Sequence, residues 1–190
     1  MHADSWALKA KKLGFRSRAV FKLEEILKKT NSLQNNSLVL DIGSAPGGWS
    51  ELIKAMAPGA SVYAIDLLPM NPVKDVFFFQ EDLINIDKIP KIYSLKSRFD
   101  LVISDLAPNL TGIRAVDEEN IYDLNIETLR TASSYLNGHN GSFIIKTFQN
   151  SLLKKLRTEM EKCFHLVQTY KPAASKSKSG EIYLFGEKPL

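Results

Sequence analysis

Four charged residues stand where apolar stretches of the chain run out. Phe143, Ile144 and Ile145 are followed by Lys146 with no turn residue between them. SLVLDIG (37–43) carries Asp41, SVYAID (61–66) ends on Asp66, and FDLVISD (99–105) ends on Asp105. A charge at a buried strand end costs a great deal unless it is paired. One such residue reads as a polar cap or a snorkelling lysine; four read as the lining of one site. A lysine among carboxylates can accept a proton when neutral, or steady a developing anion when charged. Burial and a second lysine lower its pKa, and carboxylates raise it. The sequence leaves both versions open.

Other nucleophiles compete poorly. His2 is terminal, His139 lies in a turn and His165 opens a strand. The single cysteine, Cys163, sits at a helix end and reads as a packed thiol. No Cys/His cluster has zinc spacing, so no metal is expected.

LDIGSAPGGWSE (40–51) reads as a strand, a glycine-rich turn and a helix start. Gly43, Pro46, Gly47 and Gly48 let backbone approach a ligand closely. Ala45 breaks the G-x-G-x-x-G spacing, which disfavours a pyrophosphate cradle and a dinucleotide oxidoreductase. Asp66, 23 residues past Gly43, suits the two hydroxyls of a cofactor ribose. Asp82 suits an adenine amino group. An acidic neighbourhood fits a cation better than a diphosphate, and together these favour S-adenosylmethionine, whose sulfonium is positive. Each carboxylate has an alternative as a helix cap or a solvated loop residue. Trp49 reads either as a cofactor contact or as core.

The elements that must position these residues alternate. Strands are expected at 37–43, 61–66, 76–80, 99–105, 141–147, 165–171 and 181–186, and helices at 17–29, 47–57, 117–136 and 152–164. That order makes an α/β fold: a mostly parallel sheet with helices on both faces. The last two strands, with no helix between them, form an antiparallel edge hairpin. Ligands in such sheets bind at the carboxyl ends of the strands, where the four charged residues lie.

The 190 residues suit a single domain, 1–190, with a short basic helical segment over about 1–30. Apolar runs of about five residues are far too short for a membrane span, and the N-terminus lacks a secretory h-region. One cysteine fits a reducing compartment, so a cytoplasmic location is expected, with a mature organellar form as the alternative. Net charge is +5 over residues 1–30, −5 over 31–150 and +4 over 151–190. A basic head and tail fit a polyanion such as nucleic acid, or simply solvated helix faces.

SRAVFKLEEI, LDIGSAPGGWSE, IDLLPM, SDLAPNLTG, GSFIIKTF and KPAASKSKSGEIY occur in that order. The chain in this resembles the FtsJ/RrmJ family of RNA ribose 2′-O-methyltransferases over roughly residues 10–188, and DLLPM with SDLAPN resembles its large-subunit rRNA branch. The resemblance implies the seven-stranded Rossmann-like S-adenosylmethionine methyltransferase sheet. It implies a catalytic tetrad of Lys22, Asp105, Lys146 and Glu181, and a cofactor site at Gly47, Trp49, Asp66, Asp82 and Asp105. Gly180 departs from the family, where Arg or Ser precedes the glutamate, and the segment ahead of the first helix is short.

The implied reaction is in-line attack of a ribose 2′-hydroxyl on a sulfonium methyl. The leaving group is neutral, so the enzyme supplies alignment and a place for the proton. The 2′-hydroxyl distinguishes RNA from DNA. Lys9, Lys11, Lys12, Arg16 and Arg18, with Lys176 and Lys178, are expected to hold phosphates. The resemblance implies a uridine in the A-loop of large-subunit rRNA, on the assembled large ribosomal subunit, acted on by a monomer. The alternatives are a tRNA or cap ribose methyltransferase and a non-catalytic RNA-binding protein. A base C5-methyltransferase would need a cysteine nucleophile, and DLAPN lacks the second proline and aromatic of an amine methyltransferase.

Overall fold

The structure, a computed structural model, describes residues 5–175 and 179–190. His2, Lys176 and Lys178 lie outside the described residues. Two helices open the chain, α1 (Ser5–Lys12) and α2 (Val20–Thr30). Then come β1 (Leu38–Ile42), α3 (Gly48–Met56), β2 (Ser61–Asp66) and β3 (Val76–Gln80). A 3-10 helix, Leu83–Lys88, and a short α4, Pro90–Tyr93, lead to β4 (Leu101–Ser104). The chain ends with α5 (Arg114–Tyr135), β5 (Ser142–Phe148), α6 (Leu153–Glu161), β6 (Phe164–Tyr170) and β7 (Glu181–Pro189).

The strands form one seven-stranded sheet in the order β3-β2-β1-β4-β5-β7-β6. The first five are parallel, and β7 runs antiparallel to both β5 and β6. The expected hairpin is therefore at the edge, with β7 slotted inside β6. The direction of strand addition reverses between β1 and β4, which opens a crevice at their carboxyl ends.

The pleat sorts side chains by parity. Leu40, Ile42, Val102, Phe143 and Ile145 pack with Leu129 of α5 and Leu156 and Met160 of α6. Val39, Val62, Leu101, Ile103, Ile144, Tyr183 and Phe185 pack on the other face with α2 and α3. Asp41 and Lys146 share the parity of that second face. Two chain segments differ from expectation. Residues 83–93 hold the 3-10 helix and α4, whose few residues are too short for a helical period to show. Strand β7 runs on to Pro189, because pairing with both neighbours satisfies its backbone as far as Phe164 opposite Pro189.

Among the described residues no helix is long and apolar enough to cross a membrane, and no three His, Cys, Asp or Glu residues are grouped to hold a metal ion.

Candidate active site

Lys146 opposes Tyr183 in the β5–β7 ladder, so both point to the α2 face. Its Nζ lies 3.0 Å from Asp105 Oδ1 and also donates to the Asp105 carbonyl. Lys22 of α2 sets its Nζ 2.6 Å from Glu181 Oε1. The Tyr183 hydroxyl stands between the two ion pairs, 3.3 Å from Asp105 Oδ1 and 3.2 Å from Glu181 Oε1. Ser175 donates to the same Glu181 oxygen at 3.2 Å. The four residues named from sequence thus form one network.

Tyr183 and Ser175 were not named from sequence. A signal for Tyr183 existed: it lies two residues past Glu181, on the same face of a strand. Burial pushes its phenol well above the ordinary range, and Asp105 and Glu181 add to that. It stays neutral, with one proton to give to either carboxylate. Burial raises Asp105, opposed by the charge and hydrogen bond of Lys146. Burial would raise Glu181 too, but there the Lys22 hydrogen bond and charge prevail and its pKa is lowered.

A hollow lies beside this network, at the ends of β1, β2 and β3. Ile42, Gly43, Ile65, Leu67, Leu83, Leu106 and Leu124 line it, with Asp66, Glu81 and Asp82 at its polar edge. Gly43 adopts φ +75, and a methyl there would come within 2.5 Å of Leu106. Only glycine meets both conditions. Gly47 caps α3 at φ +102 with no side-chain hydrogen bond to the first turn. Asp66 Oδ2 accepts from the Ala45 N–H and Oδ1 from the Leu68 N–H, both at 2.8 Å. It ties the loop after β1 to the loop after β2. Asp82 Oδ1 caps the 3-10 helix through the Ile84 N–H, so its capping alternative is realised. The Trp49 indole packs in the core at 4% exposure and donates to the Ala19 carbonyl. Its ring follows the core alternative.

Asp41 explains itself least by packing. It is fully buried; Oδ2 accepts from the Ser50 hydroxyl at 2.6 Å, while Oδ1 and the nearby Ser44 hydroxyl have no partner. Burial pushes its pKa up to about 7, and the charges of Asp105 and Asp66 add to that, against the Ser50 hydrogen bond. Such orphaned acceptors beside a glycine turn fit a cationic ligand group. The raised value carries a sign. The unfolded carboxyl ionises near pH 4, so stability from the neutral folded form falls as pH climbs toward 7 and then levels. Between pH 5.5 and 8.5 the ligand-free protein should lose about 2 kcal/mol through this group. Asp41→Asn should flatten that part of a thermal-unfolding pH series, and an unchanged slope would reject the assignment.

A sheet of this order, with a hollow at the ends of β1–β3 beside a half-buried Lys–Asp–Lys–Glu network, defines a methyltransferase of the Rossmann-like class. The chain belongs to the FtsJ-like methyltransferase family, whose model matches residues 15–188, and it is an RNA methyltransferase. It is 37% identical over 191 residues, 98% of both chains, to "Ribosomal RNA large subunit methyltransferase E" of Wolbachia pipientis wMel. A protein of the same name from Coxiella burnetii (strain RSA 493 / Nine Mile phase I) is 38% identical, over 95% of this chain and 88% of that one. A Plasmodium falciparum protein described as a ribosomal RNA methyltransferase superimposes with TM-score 0.82 at 30% identity, over 93% of this chain and 99% of that one. Human methyltransferase-like protein 13, solved in complex with SAH, shares the fold alone, with TM-score 0.62 at 13% identity over 87% and 81%.

Proposed function

We propose that this chain moves the methyl group of S-adenosylmethionine to the 2′-hydroxyl of a uridine in the A-loop of large-subunit rRNA. It does so as a monomer in the cytoplasm, on the assembled large subunit. The observation that carries the reading is the Lys146–Asp105 pair joined through Tyr183 to the Lys22–Glu181 pair. The names borne by the relatives support the rRNA assignment.

The residues at the hollow beyond β1–β3 fit the cofactor. Asp66 would take the ribose hydroxyls and Asp82 the adenine amino group. The Gly43–Trp49 backbone with Asp41 and Ser44 would hold the charged amino-acid end. When bound, the cofactor supplies an electrophilic methyl on a sulfonium. The work of this chain is then orientation and proton transfer. Asp105 Oδ1 and the Asp105 carbonyl occupy two of the three tetrahedral positions of Lys146 Nζ beyond its carbon bond and leave one. In a neutral amine that position is a lone pair aimed at the ribose hydroxyl. Lys146 acts as the base, Asp105 orients it, and Glu181, steadied by Lys22 and Ser175, receives the sugar.

The test is transfer of labelled methyl from S-adenosylmethionine to under-methylated large subunits, with tRNA in parallel. A 2′-O-methylated uridine in digested rRNA is expected. Transfer to tRNA alone would move the substrate to the other branch.

A further inference from the structure

Arg16, expected among the phosphate-holding residues, turns toward the protein. Its Nη1 donates to the carbonyls of Pro46 at 3.0 Å and Asn71 at 2.6 Å, and Nη2 to that of Pro72 at 2.7 Å. Both Nη1 hydrogens are thereby committed. The remaining edge faces a carboxylate, with Glu51 Oε1 3.8 Å from Nε, which would repel a phosphate.

The three carbonyls belong to two loops. Pro46 lies in the glycine turn after β1; Asn71 and Pro72 lie in the loop after β2. Those loops frame the proposed cofactor hollow. Packing where they meet is close: a methyl on Gly47 would fall 2.9 Å from the Met70 sulfur and 3.0 Å from Arg16 Nη1 and Val73 Cγ2. The connector that carries Arg16 touches the start of α3 elsewhere too. Ala19 accepts the Trp49 indole N–H, and a methyl on Gly48 would lie 3.3 Å from Ser17 Cβ and Val20 Cγ1. The same connector leads into α2 and Lys22.

We propose that Arg16 is a positioning residue for cofactor binding. It stitches the loop after β1 to the loop after β2 and registers both against the segment that delivers Lys22. This rests on the S-adenosylmethionine reading above. The planar guanidinium is what spans carbonyls from two loops; an ammonium is a point donor and cannot hold all three in that geometry.

Arg16→Lys keeps the charge and tests the idea, with Arg16→Gln as a second variant and Lys12→Ala as a control on an exposed lysine of α1. Arg16→Lys should raise the Kd and KM for S-adenosylmethionine about tenfold, the scale of one charge-assisted hydrogen bond. kcat at saturating cofactor, RNA affinity and its salt dependence should hold, with thermal unfolding confirming the fold. Lys12→Ala should do the reverse, weakening RNA binding and lowering the salt slope by about one. Cofactor affinity unchanged in both Arg16 variants, with RNA binding weakened, would overturn the proposal and restore Arg16 as a phosphate contact. A wild-type protein that does not bind S-adenosylmethionine would overturn the cofactor reading itself, and this proposal with it.

Discussion

Lys146→Ala should lower single-turnover methyl transfer by about a thousandfold or more, the range expected when a general base is removed, while S-adenosylmethionine binding stays close to wild type. The split follows from placement. Lys146 reaches Asp105 by its carboxylate and its carbonyl, and it is not among the residues of the hollow at β1–β3. The substrate hydroxyl loses its proton acceptor, and half-buried Asp105 keeps the Tyr183 hydroxyl as its side-chain donor. Lys146→Arg restores charge without a neutral base at working pH, so it should stay inactive if Lys146 takes the proton. An active Lys146→Arg would instead assign the position to anion stabilisation. Activity of Lys146→Ala within a few-fold of wild type would reduce Lys146 to a paired strand-end lysine.

Asp66→Ala should weaken S-adenosylmethionine binding by about a hundredfold. Its carboxylate receives the Ala45 and Leu68 N–H groups, and charge-assisted hydrogen bonds of this kind contribute about 1.5–3 kcal/mol each. Removing it would free the glycine turn from the loop after β2 and would take away the proposed ribose contact. Asp66→Asn separates the two roles. It keeps one carbonyl acceptor but presents an N–H₂ to the second backbone N–H, so it should fall between wild type and alanine. The measurement is calorimetric titration, with kcat at saturating cofactor beside it. If Asp66→Ala binds as tightly as wild type, the ribose contact lies elsewhere.

Much of this protein is legible in the chain because it is written in local patterns. Short uninterrupted apolar runs bounded by polar residues give β2 and β3 their observed bounds, Ser61–Asp66 and Val76–Gln80. The glycine turn is legible because Gly43 and Gly47 occupy positive φ, which few other residues tolerate. Asp105 and Lys146 are legible because charge at an apolar strand end is costly, and Lys22 and Glu181 only because their motifs match one family in order.

Tertiary structure alone decided how these pieces meet. Lys22 and Glu181 are far apart in the chain and join only because β7 enters between β5 and β6. That insertion also sets Tyr183 opposite Lys146 and makes a core-type aromatic the bridge of the site. Arg16 shows the same limit from the other side. In sequence it is one basic residue among several, and only the approach of two distant loops turns it from solvent to three carbonyls. Trp49 sits in a motif that reads as ligand-binding, yet its ring is taken by the core between α2 and the sheet. Residue type and spacing state which groups can do chemistry. Which partner satisfies each of them is a property of packing, because hydrogen bonds and ion pairs form between whatever the fold brings within about 3 Å.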